Sequence, residues 1–175
     1  MTFSLEKCQY IVLWSQSKAT DGKHSDTVWS VRWAPDDIDN YLNFYSISAD
    51  GKIINWTLVK SFLWRNEKFL LSFDKKLHNI PPHCVQHLTD GGTALAFKPN
   101  NPSEYLVGTE EGSVHLCSTE YANRFLRSYT AHHSPVATIE WNTFLPDTFI
   151  TSAAEFLIKI WSITYSWVLL YCWMS

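Results

Sequence analysis

The chain has 175 residues, which is enough for one domain with a substantial core. Its formal net charge is −3 and its basic residues are scattered, so it lacks the clustered positive charge of a nucleic-acid-binding surface. Hydrophobic residues make up 46% of the chain. The apolar C-terminal run Ile163–Met174 has only 12 residues, whereas a membrane-spanning helix needs about 20. We therefore expect neither a nucleic-acid partner nor a membrane partner.

The N-terminal part contains the first of three similar units. Residues 1–22 form no unit of their own, although Ile11–Trp14 could supply one outer strand. Residues 23–73 contain the alternating run VWSVRW, then NFYSISADGKIINW. Alternation of two chemically distinct faces predicts β-strands. Asp50-Gly51 between two such runs predicts a tight hairpin, because glycine accepts a positive φ without steric cost.

The remaining chain divides at breaks in this pattern. Residues 74–91 read as an inserted loop, since Ile80-Pro81-Pro82 and polar residues interrupt the strands. Residues 92–130 form the second unit and 131–162 the third. Residues 163–175 form a divergent apolar tail, which is either an altered chain end or an ordinary outer strand with extra aromatic residues.

The spacing within the units is constant. The closing residues Trp56, Cys117 and Trp161 lie 61 and 44 residues apart, and four-stranded propeller blades repeat every 40–45 residues or so. We predict an all-β fold of about three four-stranded antiparallel blades of an incomplete propeller. The turn residues that lie five positions before these closing residues are Gly51, Gly112 and Phe156. Because phenylalanine disfavours a positive φ, we expect a wider turn in the third unit.

Four polar residues make the resemblance specific. His24, Ser48, Asp50 and Trp56 stand where WD40 repeats carry a buried, hydrogen-bonded set of His, Ser or Thr, Asp and Trp. The resemblance implies that these side chains form a structural network. The other two units keep only part of it and are expected to have broken networks; the residues concerned are Thr109, Glu111 and Cys117 in the second, and His132, Ala153, Glu155 and Trp161 in the third.

A closer resemblance covers residues 23–161. KHSDTVWSVRW, DDIDNYLNFYSISADGKIINWTLVK and YLVGTEEGSVHLC are similar to axonemal dynein intermediate chains, the outer-arm type above all, and cytoplasmic dynein chains share parts of the pattern. The resemblance implies a non-catalytic scaffold without cofactors in the cytoplasm, cytoskeleton and axoneme of the cilium or flagellum. It also implies binding to dynein heavy chain and a second intermediate chain. Three blades of about seven would leave two open sheet faces, so we expect the isolated chain to aggregate or swap rather than form a stable monomer. The alternative is a generic WD40 adaptor outside dynein.

Other chemistry finds little support. His78, His83, Cys84 and His87 cluster, but their spacing fits no common zinc module. The chain contains no GxSxG, HExxH or glycine-rich phosphate loop, so we predict no enzyme and no small-molecule substrate.

Acidic residues near the predicted hairpins are the better functional candidates. They are Asp26, Glu110, Glu111 and Glu155. Gathered at one rim of the blades, they would favour a basic partner surface. The alternative is that they are ordinary acidic surface turns.

Overall fold

The computed structural model describes residues 23–34, 42–59, 62–70, 90–120, 125–164 and 168–171. These residues form three four-stranded sheets in which each strand pairs antiparallel with its chain neighbour. The first sheet comprises β1 (Val28–Trp33), β2 (Leu42–Ser48), β3 (Lys52–Val59) and β4 (Phe62–Leu70). The second comprises β5 (Gly92–Lys98), β6 (Asn101–Thr109), β7 (Ser113–Ser118) and β8 (Arg127–Thr130). The third comprises β9 (Val136–Trp141), β10 (Thr148–Ala153), β11 (Ile158–Ser162) and β12 (Val168–Tyr171).

The predicted all-β fold of three four-stranded antiparallel blades is confirmed. β12 lies within the segment 163–175, so part of the divergent tail completes the third sheet. Residues 1–22 and most of the predicted loop 74–91 lie outside the described residues. Among the residues that the structure describes, none forms a helix long and apolar enough to cross a bilayer.

The hairpins between the second and third strands of each sheet share one geometry. Gly51 and Gly112 have φ values of 74° and 83°, as the turn chemistry requires. Phe156 has a φ of 64°, and its amide closes the same kind of turn onto Ala153 at 3.2 Å. The expectation of a wider third turn is therefore wrong: the phenylalanine adopts the left-handed conformation.

Two apolar cores hold the three sheets side by side. One lies between the first and second sheets and contains Tyr45, Ile53, Tyr105 and Cys117. The other lies between the second and third sheets; its members include Leu106, Leu116, Ile139, Trp141, Phe149 and Trp161. The first strands of the three sheets, β1, β5 and β9, lie next to one another and form the inner layer of the three adjacent sheets.

Polar contacts also cross between sheets. The Trp141 indole Nε1–H donates to the Ala96 carbonyl at 3.1 Å. Lys98 Nζ contacts Asp147 Oδ1 at 3.0 Å, joining the second sheet to the third. Arg32 in β1 donates to the Leu95 carbonyl at 3.1 Å and to Glu140 at 3.0 Å, so it touches both other sheets.

Candidate functional site

A chain of hydrogen bonds ties the first sheet to the loop before it. The Trp56 Nε1–H donates to Ser46 Oγ at 2.7 Å. The Ser46 hydroxyl lies 2.7 Å from His24 Nε2, and His24 Nδ1 lies 3.1 Å from Asp50 Oδ1. Because the carboxylate can only accept, Nδ1 carries the proton and Nε2 accepts from Ser46. We call this set of four side chains the first polar chain.

Asp50 forms the outer end of the first polar chain and organises the turn. Its carboxylate accepts hydrogen bonds from the Ser25 amide at 2.9 Å and the Lys52 amide at 3.0 Å. Burial alone would raise the pKa of Asp50, but these two amides and His24 outweigh burial and hold the pKa below its ordinary value. The carboxylate is therefore a fixed structural charge.

The predicted position of the hydroxyl is corrected from Ser48 to Ser46. Ser48 Oγ accepts a hydrogen bond from the Asp50 amide at 3.2 Å and lies at the hairpin mouth. Trp56 pairs with Phe44, so Ser46 is its diagonal neighbour while Ser48 lies two residues farther along the strand. The sequence signal was the fixed spacing of ten residues from Ser46 to Trp56, which recurs from Thr151 to Trp161.

The third sheet carries a complete chain of the same kind, which corrects the expectation of a broken one. The Trp161 Nε1–H donates to Thr151 Oγ1 at 2.9 Å, and Thr151 Oγ1 lies 2.8 Å from His132 Nε2. His132 Nδ1 donates to Glu155 Oε1 at 2.5 Å. Glutamate thus replaces aspartate at the outer end. Ala153, like Ser48 in the first sheet, is not one of the hydrogen-bonded residues, so it does not break the chain. We call this set the second polar chain.

Glu155 is committed to the second polar chain. The hydrogen bond from His132 is the main reason that the pKa of Glu155 lies below its ordinary value. The His133 amide and Lys159 add to this effect and outweigh burial. Of the four acidic residues predicted to form a rim, Glu155 is therefore the one whose carboxylate belongs to a polar chain, whereas the Asp26 carboxylate accepts a hydrogen bond from the adjacent Thr27 amide at 2.6 Å.

The second sheet replaces the polar chain with apolar groups. Val107 and Cys117 occupy the hydroxyl and tryptophan positions, and both are fully buried. Burial raises the pKa of the Cys117 thiol, so it is a packing group rather than a reactive one. Thr109 bonds locally, accepting from the Ser113 amide at 3.2 Å.

Three of the predicted rim residues are exposed. Asp26 precedes β1, and Glu110 and Glu111 form the hairpin between β6 and β7. Asp90 lies beside them and was missed by the sequence analysis. Burial, together with the charges of Glu111 and Glu110, raises the pKa of Asp90 to about 6 even though Thr109 and the Glu111 amide hydrogen-bond to it. The hairpin Glu110–Gly112 is joined to the third sheet because the His132 amide donates to the Gly112 carbonyl at 2.8 Å.

Comparison with known proteins gives the family. No family model matches the chain. The ciliary "Dynein intermediate chain 2" of Heliocidaris crassispina is 42% identical over 150 residues, which is 86% of this chain and 21% of that protein. "Dynein axonemal intermediate chain 1" of Mus musculus is 39% identical over 85% of this chain and 21% of its own length. The chain belongs to the axonemal dynein intermediate chains.

One further relative supports this family, and one solved structure shows the fold. The 78 kDa flagellar outer-arm dynein intermediate chain of Chlamydomonas reinhardtii is 35% identical over 80% of this chain and 21% of its own length. The chain thus spans about a fifth of the dynein intermediate chains that it matches. The crystal structure of the WD40 β-propeller domain of Doa1 superposes with a TM-score of 0.60 at 12% identity, over 82% of this chain and 40% of that one. This likeness confirms the WD40 blade architecture.

The first polar chain has the residue types of a Ser-His-Asp triad, but it is closed to a substrate. Ser46 is buried, and its oxygen already accepts the Trp56 indole proton. The side chains of His24 and Asp50 are each only 5% exposed. A nucleophile needs open space where a carbonyl carbon can approach, so the arrangement supports structure rather than acyl transfer.

The described residues do not support a metal site either. Within the described ranges, no group of three or more His, Cys, Asp or Glu side chains could hold a metal ion. The four-residue cluster from His78 to His87 lies in the part of the chain that the structure does not describe.

Proposed function

We propose that the chain is a non-catalytic WD40 scaffold of the axonemal dynein intermediate-chain type. It binds dynein heavy chain and a second intermediate chain, and it supports assembly of the dynein arm and motility of the cilium or flagellum. The observation that carries the proposal is the match to ciliary and flagellar dynein intermediate chains over four-fifths or more of the chain. We expect it in the axoneme and, before assembly, in the cytoplasm.

The hairpin ends of the blades supply the binding surface in this proposal. Both polar chains end on hairpin carboxylates, and these hold two of the three hairpins in fixed geometry. The remaining hairpin, between β6 and β7 of the second sheet, presents Glu110 and Glu111 to solvent. A rigid acidic surface suits a basic partner, because little conformational entropy is lost on binding. We assign the rim formed by Asp26, Glu110 and Glu111 to partner binding, with Glu155 as its structural support.

Co-expression with the tail of an outer-arm dynein heavy chain tests this assignment. We expect the chain to co-purify with the tail and the pair Glu110→Lys and Glu111→Lys to weaken recovery at least about tenfold, since like charges would then face each other. Glu120→Lys is the matched control, because Glu120 is exposed after β7 at the opposite end of the same sheet. If recovery of the tail is unaffected by all three changes, the rim is not the binding surface. If the wild-type chain does not recover the tail, the proposed binding to heavy chain is wrong.

A generic WD40 adaptor outside dynein is the competing function. The same blades could serve it, because the WD40 fold by itself names no partner. The dynein-type segments from Lys23 to Trp33 and from Tyr105 to Cys117 favour the dynein assignment. Recovery of ubiquitin-ligase or trafficking components without heavy chain from a ciliary extract would favour the adaptor.

A further inference from the structure

The hairpin of the third sheet carries a phenylalanine where the other two sheets have glycine. Gly51, Gly112 and Phe156 close the same turn: each has a positive φ, and each amide donates to the carbonyl three residues earlier at 3.1–3.2 Å. The Phe156 side chain is 96% exposed. Strained backbone of this kind is typical of binding and switch sites, so the turn points to a role outside the core.

A neighbouring sheet cannot cover Phe156 in the way that the third sheet covers the second. The His132 amide donates to the Gly112 carbonyl at 2.8 Å, and a Cβ on Gly112 would lie only 2.3 Å from the His132 carbonyl oxygen. Glycine fits at this position because it has no side chain. Phe156 has a Cβ at the equivalent position of the third sheet, so a loop packed in the same way would collide with it. Any chain beside the third sheet has to leave space for the phenyl ring.

The turn of Phe156 is held in a fixed position next to the acidic rim. Glu155, the residue before it, accepts a hydrogen bond from His132 Nδ1 at 2.5 Å. Through its amide, the same His132 bonds to Gly112, which directly follows the exposed Glu111. His132 thus bridges the two hairpins, and Phe156 and the rim carboxylates flank one loop at the same end of the blades.

The charges beside the ring indicate the chemistry of its partner. The charge of Glu155 is offset by Lys159, whose Nζ lies 3.6 Å from Oε1. Glu110 and Glu111 on the other side of the loop are exposed carboxylates. An apolar ring beside negative charge is complementary to an apolar pocket bordered by lysine or arginine.

We propose that Phe156 is the apolar anchor of the rim and that its ring enters an apolar pocket on the basic partner surface. The anchor rests on the assignment of the rim to heavy-chain binding and adds a residue to it that carries no charge. Because the turn is already formed in the free chain, little conformational entropy is lost when the ring is buried. Buried aromatic side chains supply much of the affinity of protein interfaces, whereas exposed rim charges supply less.

Co-expression with the tail of an outer-arm dynein heavy chain tests the anchor. We expect Phe156→Gly and Phe156→Asn each to weaken recovery of the tail at least about tenfold, because both remove the ring. Glycine and asparagine both tolerate a positive φ, so neither change disturbs the turn. Phe144→Asn is the matched control, since Phe144 is 91% exposed at the opposite end of the same sheet. It should leave recovery unchanged.

The outcomes separate the anchor from the rest of the binding surface. Recovery that falls with Glu110→Lys and Glu111→Lys but with neither Phe156 variant would overturn the anchor and leave the rim in place. Equal losses for the Phe144 and Phe156 variants would overturn it as well. If the wild-type chain recovers no tail, heavy-chain binding and the anchor are both wrong.

Light scattering on the chain alone tests a different occupant for the ring. The wild type and Phe156→Gly should have the same mass, because the proposed pocket belongs to the partner. A lower mass for Phe156→Gly would assign the ring to a contact between copies of this chain and overturn the proposal.

Discussion

Ser46 stands at the centre of the first polar chain because a hydroxyl can accept one hydrogen bond and donate another. It accepts the Trp56 indole proton and donates to His24, and all three groups lie in the low-dielectric interior of the sheet. Loss of the hydroxyl leaves a buried donor and a buried acceptor without partners at once. Ser48 makes a single contact to a turn amide, so its loss has a smaller effect.

Replacement of the two serines therefore separates their roles. We expect Ser46→Ala to lower the free energy of unfolding by about 2 kcal/mol and Ser48→Ala by less than about 1 kcal/mol. Urea unfolding followed by tryptophan fluorescence measures both. Equal losses would contradict the placement of Ser46 in the first polar chain.

Phe156 is a second residue whose conformation has a measurable effect. Its φ of 64° lies in a region that costs an ordinary residue about 1–2 kcal/mol, and its side chain is 96% exposed. The strain is therefore not offset by side-chain burial.

Glycine at this position should stabilise the chain. We expect Phe156→Gly to raise the free energy of unfolding by about 0.5–1 kcal/mol, because relief of strain exceeds the added flexibility of the unfolded chain. Thermal unfolding measures the change. Gly112→Ala is the opposite control and should destabilise: its φ is positive, and a Cβ there would lie 2.3 Å from the His132 carbonyl oxygen. A lower melting temperature for Phe156→Gly would contradict the strain.

Each hairpin that ends a polar chain links folding to protonation. Asp50 and Glu155 have pKa values below those of the unfolded chain, so on acidification the unfolded state takes up their protons first. Their contribution to stability is complete above the unfolded values near 4 and is lost as the pH falls further. Asp90 has the opposite sign: its pKa of about 6 means that its contribution falls as the pH rises from about 4 to about 6.

Urea unfolding between pH 3 and pH 7 resolves these contributions. Asp50→Asn and Glu155→Gln should flatten the loss of stability below about pH 5, whatever their effect at neutral pH. Asp90→Asn serves as the control, because it should flatten the curve between about pH 4 and pH 6 instead. Unchanged acid slopes in the first two variants would show that their carboxylates are not held as described.

The strands and hairpins are the part of the fold that the sequence predicts best. Alternation in VWSVRW and the Asp50-Gly51 turn place the first sheet because both are local properties. The hydroxyl of the polar chain was misplaced because diagonal contacts across a hairpin depend on side-chain reach, which the turn motif does not encode. Glu155 was taken as a break because the sequence does not show that a longer side chain can still reach His132.

The whole molecule depends on contacts that no single unit contains. Trp141 of the third sheet donates a hydrogen bond to the second sheet, and Lys98 of the second sheet forms an ion pair with the third. Cys117 and Val107 show that a sheet without a polar chain is stabilised by its neighbour's apolar packing instead. Stability is therefore shared between adjacent sheets, as in other repeat proteins.

Arg32 has a consequence for the order in which the chain folds. Its guanidinium meets Glu140 across 108 residues of sequence, whereas every strand pair within a sheet joins chain neighbours. Short hairpin loops close quickly, and a contact across so long a stretch waits until the intervening sheet is in place. The Arg32–Glu140 ion pair therefore forms last. Each of the three sheets forms as a local unit, and this contact forms only when the third sheet has packed against the others.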